Sequence, residues 1–261
     1  MGSATETQGP IQSGSAPTCL RAQDLTMRHG ASTTLCTLNL EVPAGQVLSI
    51  LGPNGAGKTT TINLFMGFFR PASGRAEVCG IHVAENPIEA RRLLAYIPES
   101  VSLYGNLTGL ENLQYFAELG GIRGLTFEAG EELLARAGLQ ESAWHRDCST
   151  YSKGMRQKVC VALALAKDAR AMLLDEPTSG LDPFAAREFS GLVNELASQG
   201  VGALVATHDL LLAREISHRI LILVGGEVKE TLPTDGLELG ELEKVYLEAL
   251  AAAPDSERDQ L

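Results

Sequence analysis

The chain has 261 residues, with 32 Asp and Glu against 21 Lys and Arg for a net charge of −11, and 44% of it is hydrophobic. That length and apolar share suit a globular α/β core, while an acidic balance with no basic block excludes a protein held to nucleic acid by phosphate neutralisation. Cys19, Cys36, Cys79, Cys148 and Cys160 include no pair two or three residues apart, which excludes a local metal clamp or redox motif, and no apolar run reaches the roughly 18 residues a bilayer span requires.

Residues 1–18 are rich in Gly, Ser, Thr, Gln and Pro, with neither a basic start nor an apolar run. They read as a disordered tail, not a secretory signal. From Leu20 the chain reads as strands. "LCTLNLEV" alternates apolar and polar residues, and a "PAG" turn from Pro43 to Gly45 leads into the buried run "VLSIL". A glycine-rich stretch, "GPNGAGKTT", follows directly and gives way to a helical pattern through "INLFMGFF".

"RAEVCGIHV" predicts a hairpin around Gly80, and "PIEARRLLAYIPE" a short helix running into a strand that Pro98 ends. From Leu107 to Ala166 three helical patterns occur without a convincing strand. One is opened by the capping box Thr108 to Glu111, one runs through "FEAGEELLARAGL" to Gly138, and one begins after Ser152. Strand and helix then alternate again: "AMLLDE" is a buried strand, and the helix of "DPFAAREFSGLVNELASQG" has Asp182 as cap and Pro183 at its first position. "ALVATH" is a further strand, "RILILVGGEVKE" a hairpin turning at Gly225 and Gly226, and "ELEKVYLEALAAA" a terminal helix. The pattern predicts an α/β fold with a mainly parallel sheet around a phosphate-type loop.

Gly52, Gly57, Lys58 and Thr59 have the P-loop spacing between a predicted strand and a predicted helix. The glycines let several backbone N–H groups converge at a helix N-terminus, where an anion is favoured. The whole loop, Gly52, Pro53, Asn54, Gly55, Ala56, Gly57, Lys58, Thr59 and Thr60, is the candidate nucleotide cradle. Lys58 would reach the β- and γ-phosphates and the Thr59 hydroxyl would take a place on Mg²⁺. Asp175 ends an apolar strand and is suited to hold Mg²⁺, and Glu176 directly after it is suited to polarise the attacking water. His208 closes the strand "LVATH" and would reach the same edge to sense the γ-phosphate.

With these residues in view, the chain resembles the ATP-binding subunit of ABC transporters from Leu20 to about residue 250. "GPNGAGKTT" is similar to the family's Walker A motif, "MLLDEP" to its Walker B, "SGLD" to its D-loop, "THD" to its switch histidine and "YSKGMRQK" to its signature motif. The resemblance implies a P-loop NTPase core with a mainly parallel sheet, an antiparallel β subdomain and an α-helical insert over about 100–166, all within one domain spanning 19–250, followed by a C-terminal tail over 251–261. It also implies two copies closing head-to-tail on two ATPs with Mg²⁺. Ser152 and Gly154 would then face the γ-phosphate bound by the other copy.

Three departures from the family pattern stand out. Tyr151, Lys153 and Met155 replace the commoner signature residues, as in an exporter-type branch whose ATPase serves a separate membrane permease from the cytoplasmic face of the inner membrane. Glu99 stands where many relatives have glutamine, and could ligate Mg²⁺ or contact the permease. His29 stands where an aromatic residue usually stacks on adenine. Among alternatives, "YIPESVSLY" resembles the corresponding segment of accessory ATPases serving copper-site assembly, and ABC ATPases without a permease form another class. One cassette with no long coiled coil disfavours the latter, and intact Lys58, Asp175, Glu176 and His208 oppose a module that has lost catalysis.

Overall fold

A computed structural model describes residues 16–29 and 32–252. The strands are β1 (Thr18–His29), β2 (Ser32–Pro43), β3 (Val47–Leu51), β4 (Ser73–Val78), β5 (Ile81–His82), β6 (Leu94–Ile97), β7 (Ala171–Asp175), β8 (Gly202–Thr207), β9 (Arg219–Val224) and β10 (Glu227–Pro233). The helices are α1 (Lys58–Phe65), α2 (Pro87–Arg92), α3 (Gly109–Leu119), α4 (Phe127–Arg136), α5 (Glu141–Trp144), α6 (Lys153–Ala166), α7 (Pro183–Ser198), α8 (Leu210–Ile216) and α9 (Leu239–Ala251).

Two sheets form. The larger has the order β10-β9-β3-β8-β7-β6, and the smaller, antiparallel throughout, the order β2-β1-β4-β5. In the larger sheet every pairing is parallel except β9 with β10. Its inner strands β3, β7 and β8 are buried at every position. They must therefore be apolar on both faces, which is why they read as continuous runs and not as alternating ones.

The period of two still decides which core each residue joins. Leu48, Ile50, Leu173, Leu204 and Ala206 point to a core shared with α1 and the antiparallel sheet. Their neighbours Val47, Met172, Leu174, Ala203 and Val205 point to the opposite core, shared with α3, α4, α6 and α7. A third cluster joins Leu51, Ile220 and Ile222 to Leu242 and Ala249 of α9. The helical insert thus packs on one face of the large sheet and the antiparallel sheet on the other.

The capping box that opens α3 forms as expected, with Glu111 N–H donating to Thr108 Oγ1 at 3.2 Å and Thr108 N–H to Glu111 Oε2 at 2.8 Å. The helix after the glycine-rich loop is shorter than expected. It ends at Phe65, because Met66 caps it and Gly67 turns left-handed at φ 69°, so Gly67, Phe68 and Phe69 lie outside it. Helices α5 and α8 were not anticipated from the sequence. Thr18, assigned to the N-terminal tail, is the first residue of β1 and pairs with Pro43, while residues 1–15 lie outside the described residues. At the other end, α9 takes in Ala251 of the expected C-terminal tail, and residues 253–261 lie outside the described residues.

Register sets the position of the site. Leu51 is level with Thr207 across β3 and β8, and Asp175 with Ala206 across β7 and β8. The segments that leave β3, β7 and β8 therefore emerge together at the carboxyl edge of the sheet, where ligand crevices of open α/β sheets lie.

Candidate nucleotide site

The loop from Gly52 to Gly57 joins β3 to α1. Gly52 N–H donates to Thr207 O at 3.2 Å, and a Cβ at Gly52 would lie 2.2 Å from the Leu223 carbonyl oxygen, so only glycine fits between β8 and β9 there. Gly57, at φ 105°, is the N-cap of α1 and provides no side-chain cap. The first N–H groups of α1 are therefore left without a side-chain acceptor at the positive end of the helix, the usual arrangement for an anion.

Lys58 is 6% exposed. Its Nζ donates to Gly52 O at 2.7 Å and Pro53 O at 3.1 Å, and lies 3.4 Å from Glu176 Oε1. A buried ammonium needs such partners, since an unpaired one would cost several kcal/mol, on the order of what one buried ion loses on leaving water. Thr59 Oγ1 donates to Asp175 Oδ1 at 3.3 Å, bringing these two residues of separate motifs into contact.

Asp175 is nearly buried, and burial holds its carboxyl above the usual carboxylate range, with the charges of Glu176 and Glu99 adding to the effect while Thr59 and Lys58 oppose it. Glu176 takes a left-handed φ of 44°, uncommon for a residue with a side chain, and its N–H extends the sheet by bonding to Ala206 O at 2.9 Å. That geometry aims the carboxylate at β8. Oε2 accepts from Thr207 Oγ1 at 3.2 Å and from His208 N–H at 3.4 Å, and Oε1 lies 2.9 Å from His208 Nδ1. Lys58, Thr59, Asp175, Glu176 and His208 are thus brought together as the sequence predicted.

Glu99 is placed differently. Its Oε1 accepts from Ser179 Oγ at 3.3 Å, in the turn after Glu176. Among the described residues no group of three or more His, Cys, Asp or Glu side chains is arranged to hold a metal ion, so Asp175, Glu176 and Glu99 do not form a preassembled cage. The side chain of His29, at the end of β1, lies outside the described residues.

Ser152 is the N-cap of α6, its Oγ accepting from Met155 N–H at 3.3 Å. Gly154 faces Leu181 and Ala185, and with Ser152, Met155, Phe184 and Glu188 it lines a cleft of about 250 Å³. The start of this helix is tied to the turn that follows Glu176: Lys153 Nζ donates to Ser179 O, and the buried Gln157 donates through Nε2 to Pro177 O. Tyr151 is a core residue of the insert. Its hydroxyl donates to Ala143 O at 2.6 Å, burial raises it to about 12, and it packs so close to α3 that a Cβ at Gly109 would lie 2.2 Å from its oxygen.

The turn at residues 176–179 therefore receives side chains from Glu99, Lys153 and Gln157 at once. Thr207, Gln157 and Ser179 lie within the motifs "THD", "YSKGMRQK" and "SGLD", but none of the three was assigned a role of its own in the site. For Thr207 a signal was available, a hydroxyl residue directly before His208 at a strand end.

The family profile described as "ABC transporter" matches residues 35–179. An uncharacterised ABC transporter ATP-binding protein, YdbJ of Bacillus subtilis, is 34% identical over 220 residues, covering 84% of this chain and 70% of that protein. The bacitracin transport ATP-binding protein BcrA of Bacillus licheniformis is 34% identical over 232 residues, covering 88% and 74%. Among solved structures, an ATP-binding subunit of an ABC transporter superposes with a TM-score of 0.76 at 33% identity over 89% of this chain and 99% of that one. A dimeric ATP-binding cassette in a post-hydrolysis state with ADP and Pi gives 0.73 at 27% identity, over 84% and 100%.

Proposed function

The chain belongs to the ABC transporter family as an ATP-binding, ATP-hydrolysing subunit, and from that premise we propose that two copies close head-to-tail on two MgATP to drive a separate membrane permease. The observation that carries the residue assignments is the meeting of Lys58, Thr59, Asp175, Glu176 and His208 at one sheet edge beside an uncapped helix N-terminus.

The phosphates take the N–H groups of Gly57, Lys58, Thr59 and Thr60 at the start of α1, and Lys58 exchanges its loop carbonyls for phosphate oxygens. A hydroxyl and a carboxylate in contact, the latter raised by burial and like charge, form a hard oxygen donor set that a divalent cation would relieve. Thr59 and Asp175 would hold Mg²⁺. Bound there, the ion neutralises phosphate charge. Glu176 takes the proton of the water that attacks the γ-phosphorus as the bond to the β-phosphate oxygen breaks. His208, through its Nδ1 contact with Glu176, holds that carboxylate in place. Ser152 and Gly154 complete the partner copy's site. His29 is assigned to the adenine and Glu99 to the link between site and permease.

Support for the permease comes from an apolar groove on the insert, lined by Pro98, Val101, Leu113, Phe116 and Leu163, with Tyr104 and Tyr115 exposed on the same insert. Among the described residues no helix is long and apolar enough to cross a membrane, so attachment to the cytoplasmic face of the inner membrane would run through that partner. A relative named for fluoroquinolone export, beside others named for multidrug and bacitracin transport, supports outward transport. The test is ATP hydrolysis by the purified chain across a range of protein concentrations, with and without chelator, together with purification of the chain from membranes. Specific activity should rise with protein concentration, vanish with the chelator, and a polytopic membrane protein should accompany the chain. Activity independent of concentration would refute the two-copy site.

A further inference from the structure

Cys19 and Cys79 lie 60 residues apart in the chain but face each other across the antiparallel sheet. Leu20 is level with Val78 at the end of the β1–β4 register, and just beyond it Cys79, which leaves β4 at a left-handed φ of 48°, donates its N–H to Cys19 O at 2.8 Å. Two residues joined by such a backbone bond have their Cα atoms roughly 5–6 Å apart, within the span a disulfide bridges. Cys19 is buried and Cys79 is half-buried at the β4–β5 turn. Glycine at position 202 makes the room: a Cβ there would lie 2.5 Å from Cys19 Cβ and 3.0 Å from its sulfur.

The surroundings favour a thiolate. The Cys79 thiol donates to Cys19 and, with the Gly202 N–H and the charge of Arg170, holds the Cys19 thiol down at about 7 against the opposing effect of burial, while Cys79 is raised because it keeps the shared proton. A cation is a poor occupant here. Only two sulfurs are present, and the nearby guanidinium repels positive charge.

We propose that Cys19 and Cys79 form an oxidation site, a dithiol that closes to an intramolecular disulfide when it meets a hydroperoxide. The Cys19 thiolate attacks one peroxide oxygen, breaking the O–O bond and giving a sulfenic acid and hydroxide. The Cys79 sulfur then attacks the Cys19 sulfur, its proton leaves with the sulfenic oxygen as water, and the S–S bond forms. The two thiols lose two electrons, which reduce the peroxide. Residue 202 starts β8 and Thr207 ends it, so the pair lies about 17 Å along that strand from the nucleotide edge.

The test uses the folded, full-length wild-type chain treated with hydrogen peroxide, quenched, unfolded, alkylated and analysed by peptide mass spectrometry. The expected result is a fall from five alkylated cysteines to three, with the Cys19 and Cys79 peptides joined and both released by dithiothreitol. Recovery of both residues as alkylated thiols, while the solitary exposed Cys36 is oxidised, would overturn the proposal. So would conversion of Cys19 to sulfinate beside an alkylated Cys79.

Discussion

Replacing Glu176 with Gln keeps the shape of the side chain and removes one charge from a cluster whose energetics are set by charge. Glu176 Oε1 lies 3.4 Å from Lys58 Nζ and 2.9 Å from His208 Nδ1. Its Oε2 bonds to Thr207 can be kept by an amide oxygen. Lys58 retains two carbonyl acceptors, and Asp175 loses a like charge next to it. The loss and the relief oppose one another, so the net change in folding stability is expected within about 1 kcal/mol. Catalysis has no such offset. An amide cannot take the proton of the attacking water, and removing a general base lowers turnover by about 10²- to 10⁴-fold, a rise in barrier of about 2.7 to 5.4 kcal/mol. Phosphate release would measure turnover, titration with a fluorescent ATP analogue the affinity, and thermal melting the fold. Turnover within about threefold of the wild type, with the melt and the affinity unchanged, would refute the assignment of Glu176 as base.

Asp175→Asn should melt above the wild type at neutral pH and lose Mg²⁺-dependent hydrolysis. A carboxyl raised on folding favours the fold only while protonated, so its contribution fades as pH rises through the folded value, and the variant's advantage should disappear on acidification below the ordinary carboxylate range. Ser152→Ala removes the acceptor of Met155 N–H at the start of α6 and should cost about 1 kcal/mol, a fall in Tm of about 2–4 °C, with a drop in hydrolysis beyond what the melt accounts for. Tyr151→Phe removes the 2.6 Å donor to the Ala143 carbonyl, which keeps Arg146 N–H at 3.0 Å, and should cost about 0.5 to 1.5 kcal/mol in denaturant titration, with turnover per folded subunit unchanged.

How much of this was legible in the sequence depends on the range of the interactions involved. Strands β3, β7 and β8 were legible because burial on both faces demands uninterrupted apolar residues, and α3 and α7 because Thr108, Glu111, Asp182 and Pro183 act within a few residues of themselves. Helix α8 was missed although Asp209 caps it, accepting from Leu211 N–H at 2.9 Å and Leu212 N–H at 3.1 Å, because its seven residues are too few to show a period. The glycine-rich loop could be read from spacing alone. The Glu99 to Ser179 bond, the Gln157 amide against Pro177 and the Cys79 to Cys19 backbone bond could not, since each joins segments brought together only by the packing of whole elements.

The contact between Tyr151 and Gly109 bears on how this cassette could be altered. The space that a side chain at 109 would occupy is filled by a phenol rooted 42 residues later, so the two positions form one unit of inheritance. Replacing Tyr151 with a shorter apolar residue such as leucine would open a hole at the foot of α3 and remove one donor from the Ala143 carbonyl, which keeps Arg146 N–H at 3.0 Å, while leaving Ser152 and Gly154 untouched. A chimera built by swapping the signature segment alone would therefore fail through its scaffold before its chemistry was ever tried, and a workable exchange would have to carry α3 along with it.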